Sequence, residues 1–204
     1  MSNINTIRLF IREFLIEVCG GKPEDVDDVI ATANLAHLGQ KRRSSGLPGI
    51  SHPEKVAKIV KNFYADRDDL CLAAYLHDSL EDAPKLGNIS EDDLVKLIMG
   101  SIQDHDQGEK ILRIIKNMTH DKEQQSYEEY FNFIINEPDT LIVKLSDMLH
   151  NLRDSPSPKQ ALKYNNVINS LNRDKIDFIS NEHWNALDNA LADALKFETN
   201  NTNL

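Results

Sequence analysis

The chain has 204 residues, 40% of them hydrophobic and 27% charged, with a formal net charge of −10. This is ordinary globular composition with room for one sizeable core, and no apolar run nears the roughly 20 residues that a membrane-spanning helix needs. The acidic balance disfavours nonspecific binding to nucleic acid or anionic lipid, because long-range repulsion opposes approach before local contacts form.

The first twenty residues interrupt their apolar positions with Arg8, Arg12, Glu13 and Glu17, the pattern of an amphipathic helix and not of a secretory signal. Cys19 and Cys71 are too few for a disulfide framework and are not spaced as zinc ligands. They are expected to act as small buried hydrophobes in a reducing, cytoplasmic compartment. Val26, Val29, Ile30, Ala33 and His37 predict a helix over 24–38 with His37, a hydrogen-bonded core histidine, on its inner side. The stretch GQKRRSSGLPGI breaks that pattern with Gly39, Gly46, Pro48 and Gly49. A loop of that length is expected to be functional, and Lys41, Arg42 and Arg43 make it a candidate anion site in an acidic chain. A helix then restarts with Ser51 as N-cap, Glu54 completing a capping box, and Val56, Ile59, Val60 and Phe63 as the apolar stripe.

The next helix is predicted over 68–82, ended by Pro84 because the residue before a proline avoids helical geometry. Ser90 caps a short helix, SIQDHDQGE reads as a loop, and helices follow over 109–118, 126–136 and 140–153. After a turn at Pro156 and Pro158, two amphipathic helices carry Tyr164, Val167, Ile168 and Leu171, then Trp184, Leu187, Leu191 and Leu195. No strand pattern and no internal repeat is found. The expected architecture is an all-α, single-domain helical bundle over 1–197 with a disordered polar tail at 198–204.

Chemistry concentrates in YLHDSLEDAP and KLSDMLHNLRD. Four-residue spacing on a helix pairs His77 with Glu81, Asp78 with Asp82, and Asp147 with Asn151. With His52 at a helix start, two imidazoles and two carboxylates, His52, His77, Asp78 and Asp147, are the candidate metal shell, expected from three helices. Nitrogen and oxygen donors without thiolate suit Mn²⁺ first, with Fe²⁺ or Mg²⁺ as alternatives. Glu81 or Asp82, beside the ion, is placed to take the proton of a metal-activated water. His150 is expected to be a packing residue near Asp147, and His105, His120 and His183 to lie on the surface.

Taken in order, AHLGQKRRSSGLPGISHP, YLHDSLEDAP and VKLSDMLHNLRD resemble the hydrolase domain of RelA/SpoT homologues, within the HD-domain phosphohydrolase superfamily, over about residues 30–155. The resemblance implies an all-helical bundle in which His52, His77, Asp78 and Asp147 hold Mn²⁺ and Glu81 and Asp82 position and deprotonate the attacking water. It also implies that Arg43, Ser45 and Asn151 meet the substrate. The activity it implies is removal of pyrophosphate from the 3′ position of ppGpp and pppGpp, here in a stand-alone small alarmone hydrolase without a synthetase half. Ser44, Leu47, Gly49 and Asp154 depart from that family's pattern where it has a lysine, an acid, an aromatic residue and, often, a threonine. These departures motivate a second reading, an HD phosphohydrolase of another nucleotide such as (p)ppApp. A third is a non-catalytic nucleotide-binding or immunity protein of the same fold, against which the intact acidic pair counts.

Overall fold

The computed structural model describes residues 13, 16, 19 and 23–201. Most of the expected N-terminal helix and residues 202–204 of the expected tail lie outside the described residues, and residues 198–201 of that tail are helical, which corrects their expected disorder. The chain divides into two compact units, 1–121 and 122–204. Among the described residues there is no strand, only an isolated bridge between Lys41 and Pro48, so the chain is all-α as expected.

The first unit contains α1 (Pro23–Ala36), α2 (Ser51–Phe63), α3 (Asp68–Leu76), α4 (Ser79–Leu86), α5 (Glu91–Gly100) and α6 (His105–Met118). Its centre is α3, whose residues Leu70–Leu76 are all buried. A helix that is apolar on every side must be enclosed, and α3 is packed by α1, α2 and α6. Burying Leu70 or Leu76 completely contributes about 2 kcal/mol each. Asp104 caps α6 by accepting from the Gln107 amide at 3.1 Å, so the helix starts four residues before its expected beginning and absorbs part of the expected loop. Ser90 caps α5 as expected, accepting from the Asp93 amide at 3.2 Å.

Two expectations at helix ends are corrected. Ser51 is the first residue of α2 and not its cap: Ile50 holds the cap position without a side-chain bond. Glu54, expected to close a capping box, instead accepts from Lys58 Nζ at 2.7 Å. The predicted helix over 68–82 is two helices. The chain leaves α3 after Leu76, turns at His77 and Asp78, and starts α4 at Ser79. Pro84 lies inside α4, which ends at Leu86 with Gly87 in the left-handed conformation at φ 70°. Glycine takes that conformation without the steric cost other residues meet.

Cys19 and Cys71 are buried as expected, but they are bonded to each other as a disulfide with Cα atoms 5.5 Å apart, which corrects the reading of two free thiols. Pairing depends on three-dimensional approach, which a separation of 52 residues along the chain does not reveal.

The second unit contains α7 (Tyr127–Ile134), α8 (Pro138–Arg153), α9 (Pro158–Ser170), a 3₁₀ turn (Arg173–Lys175) and α10 (Asn181–Asn201). Ser126 and Glu129 form a complete capping box at the start of α7. The core helix is α8, buried from Thr140 to Leu152 except at Lys144 and Asn151, and it packs on α7 and α10. His183, expected on the surface, is wholly buried in α10. Burial lowers its imidazole to about 4, against a favourable bond with the Leu145 backbone.

Candidate active site

The turn between α3 and α4 arranges the first unit's site. Because α3 is enclosed, its C-terminal residue delivers His77 into the interior, 1% exposed. His77 Nδ1 lies 2.7 Å from the Ala74 carbonyl. A carbonyl only accepts, so Nδ1 carries the hydrogen and Nε2 keeps its lone pair. Nε2 faces Asp78 Oδ1 at 3.1 Å. From the start of α2, His52 places Nε2 3.5 Å from Asp78 Oδ2. The two imidazole rings meet edge to face at 5.1 Å.

Each of His52, His77 and Asp78 therefore offers one ligand atom within 4.8 Å of the others. A lone-pair nitrogen opposite a carboxylate oxygen is an arrangement a cation stabilises, and the backbone bond to the far ring nitrogen is the usual way a ligand histidine is oriented. The donor set fits a divalent metal ion. Asp78 is 31% exposed on its side chain while the histidines are enclosed, so further positions around such an ion would open to solvent, as catalytic sites require.

Glu81 and Asp82 stand in the first turn of α4. The helix predicted over 68–82 places them at a C-terminal end, where the dipole opposes negative charge; at an N-terminus the dipole favours it. Glu81 accepts from Lys85 Nζ at 2.8 Å. Asp82 Oδ2 accepts from Gln40 Nε2 at 2.6 Å. Burial, then the nearby Asp78 charge, push the Asp82 carboxyl above its ordinary value, outweighing the Gln40 bond. His37 is buried as expected and is lowered by that burial.

The basic loop is a small hairpin closed by bonds from the Arg42 amide to the Leu47 carbonyl at 2.8 Å and the Gly49 amide to the Gln40 carbonyl at 2.8 Å. Arg43 and Ser45 are exposed on it, and Ser45 Oγ accepts from the Leu47 amide at 3.4 Å. In the second unit, Asp147 is 5% exposed on α8. Its Oδ2 accepts from Lys144 Nζ at 2.9 Å and its Oδ1 from Asn151 Nδ2 at 2.6 Å. His150 is buried beside it in sequence, as expected of a packing residue. Sequence reading missed Lys144 and Gln40. Lys144 carried a signal, three residues before an expected ligand on the same helix; Gln40 carried none of its own.

The HD domain family matches residues 29–170 of the chain. The chain belongs to the HD-domain family. Among its relatives is a protein of Escherichia coli K12 named bifunctional (p)ppGpp synthase/hydrolase SpoT, 33% identical over 138 residues, covering 64% of this chain and 18% of the relative. A Haemophilus influenzae protein named guanosine-3′,5′-bis(diphosphate) 3′-pyrophosphohydrolase is 32% identical over 122 residues, covering 59% and 17%. One named as a chloroplastic GTP diphosphokinase of Oryza sativa subsp. japonica is 30% identical over 151 residues, covering 70% and 17%. The resemblance to RelA/SpoT homologues is thus borne out, and the chain spans less than a fifth of the length of these relatives. No helix among the described residues is long and apolar enough to cross a membrane.

Proposed function

We propose that the chain is a metal-dependent phosphohydrolase that removes pyrophosphate from the 3′ position of the guanosine alarmones ppGpp and pppGpp. The observation that carries this reading is the convergence of His52, His77 and Asp78 directly before an acidic helix start, in a chain whose relatives are named for that reaction. In the proposal Asp147 is the fourth ligand and Mn²⁺ the ion, with Fe²⁺ or Mg²⁺ as substitutes. The ion, when bound, supplies Lewis acidity at the phosphorus oxygens and makes water easier to deprotonate.

Glu81 and Asp82 orient the attacking water and take its proton. A carboxylate pushed up by burial accepts that proton more readily than an exposed one would. The water oxygen bonds to the 3′ phosphorus, the bond from phosphorus to the ribose 3′ oxygen breaks, and that oxygen takes up a proton, leaving GDP or GTP and pyrophosphate. Arg43, with Lys41 and Arg42 on the same hairpin, meets the phosphate charge, and Ser45 and Asn151 hold the substrate. A charged nucleotide substrate implies a cytoplasmic location. Gly49 and Asp154, which depart from the family pattern on the substrate side, favour one second reading, the same chemistry on an adenine alarmone such as ppApp.

The test is a screen of purified protein with Mn²⁺, and with EDTA, against ppGpp, ppApp, deoxynucleoside monophosphates and cyclic nucleotides. Chelator-sensitive pyrophosphate release from ppGpp is expected. Release from ppApp alone would select the second reading, and release from neither would overturn both.

A further inference from the structure

His37, Gln40 and Asp82 form a chain of polar contacts that the proposed reaction does not itself require. Gln40 Nε2 donates to Asp82 Oδ2 at 2.6 Å, and Gln40 Oε1 lies 2.8 Å from His37 Nδ1. The carboxylate only accepts, which turns the amide nitrogen toward Asp82 and the amide oxygen toward His37. His37 Nδ1 must therefore carry the hydrogen. The imidazole is enclosed, its side chain 1% exposed, so the donor end of the bridge sits in the packed interior. Direct contact does not replace the bridge, because His37 Nδ1 is 3.7 Å from Asp82 Oδ2.

What allows the bridge is Gly49. A Cβ placed there would overlap Gln40 Oε1 and stand 2.7 Å from Gln40 Cδ and 2.8 Å from its Cβ. Real side chains never approach that closely, so any residue but glycine displaces the Gln40 carboxamide. Gly49 is also a position at which the chain departs from the aromatic residue of the family pattern.

We infer that Gln40, seated in the space that Gly49 leaves open and anchored by His37, is the positioning residue for Asp82. The bond is made to Oδ2, so the amide fixes the rotation of the carboxylate and leaves its other oxygen, Oδ1, outside the bridge. A positioned base loses less freedom on meeting the attacking water than a free one. The inference rests on the role given to Asp82 above.

The test is a double-mutant cycle of Gly49→Ala and Gln40→Leu, with kcat and KM measured on ppGpp and, in parallel, on bis(p-nitrophenyl) phosphate, together with ¹⁵N signals of the His37 ring. Each single variant is expected to lower kcat about 10- to 100-fold with KM and Mn²⁺ affinity unchanged, and the double variant to lose no more than the worse single one. The Nδ1–H tautomer of His37 is expected in the parent and lost in both variants. Additive losses, a change in KM alone, or parental kcat in either variant would overturn the inference. If Gly49→Ala does not fold, Gln40→Leu reads the same bond. A parent inactive on nucleotides but active on the chromogenic ester would remove the substrate reading and leave this test running. Should the parent turn over neither compound, a parental His37 signal without the Nδ1–H tautomer overturns the bridge, and its presence with loss in Gly49→Ala supports it.

Discussion

α3 and α4 both open on acids, and the acids meet opposite surroundings. At α3, Asp68 accepts from Lys61 Nζ at 2.8 Å. Asp69 takes two bonds from Arg67, each 3.0 Å, and lies 2.6 Å from Lys110 Nζ. Burial alone would raise the Asp69 carboxyl, but the Arg67 and Lys110 bonds outweigh it and hold it at about 2. At α4, Asp82 meets a neutral amide and a buried imidazole instead, and its carboxyl is raised. Two helix starts that each carry a pair of acids therefore divide the work. The first turns charge into stability, and the second keeps a carboxylate that holds a proton more readily than usual, which is a disadvantage for folding and an asset for chemistry.

The sharpest way to break the comparison is to exchange oxygen for nitrogen at each site. Asp82→Asn is expected to lower kcat by about 10²- to 10⁴-fold, while Asp69→Asn leaves turnover at the parental level; equal losses in a phosphate-release assay would dissolve the distinction. A third carboxylate, Asp147, extends it, being buried more deeply than Asp82 but matched to a cation like Asp69. Lys144→Ala leaves that charge buried without its partner and is expected to cost about 3 kcal/mol, read as a drop in the urea midpoint.

Stability against pH should separate the two helix starts next. Asp69 is depressed in the folded chain, so its contribution of about 2 kcal/mol is present above the unfolded value near 4 and is lost as pH falls toward about 2. Asp82 is raised, so its ionised form lowers stability at neutral pH, and Asp82→Asn should make the metal-free protein more stable at pH 7. Urea titrations in EDTA at pH 7 and pH 3 check both signs. The smallest effect is expected from Lys61→Met. Its ion pair with Asp68 is partly exposed, and the loss should be about 0.5 kcal/mol and vanish in high salt.

Much of this was legible in the sequence because apolar periodicity survives in the folded helices: α2, α5, α8 and α9 lie where their stripes put them. The error over α3 and α4 has a specific cause. Four-residue spacing joins His77 to Glu81 as readily across a turn as along one helix, since a break in backbone direction at His77 and Asp78 leaves no trace in side-chain type. Proline misled as well: α4 runs through Pro84 to Leu86, and Gly87 in the left-handed conformation, not the proline, ends it. The convergence of His52 with His77 and Asp78 was readable from residue types that share a chemistry. The Gln40 bridge was not, because it depends on an absent side chain at Gly49. His183 escaped because a histidine can face inward or outward on the same helical pattern, and the Cys19–Cys71 bond because pairing depends on approach in space across 52 residues of chain.

One contact at the end of α4 ties these pieces together. Asn88 Nδ2 donates to the Ala36 carbonyl at 3.2 Å and the Leu38 carbonyl at 3.0 Å, on either side of His37. The carbonyl of Ala36, the last residue of α1, and that of Leu38 in the turn after it are thereby fastened to the segment that follows α4. The two bonds tie the turn that carries His37 to the end of α4, the helix that carries Asp82, so both ends of the glutamine link share one anchored frame.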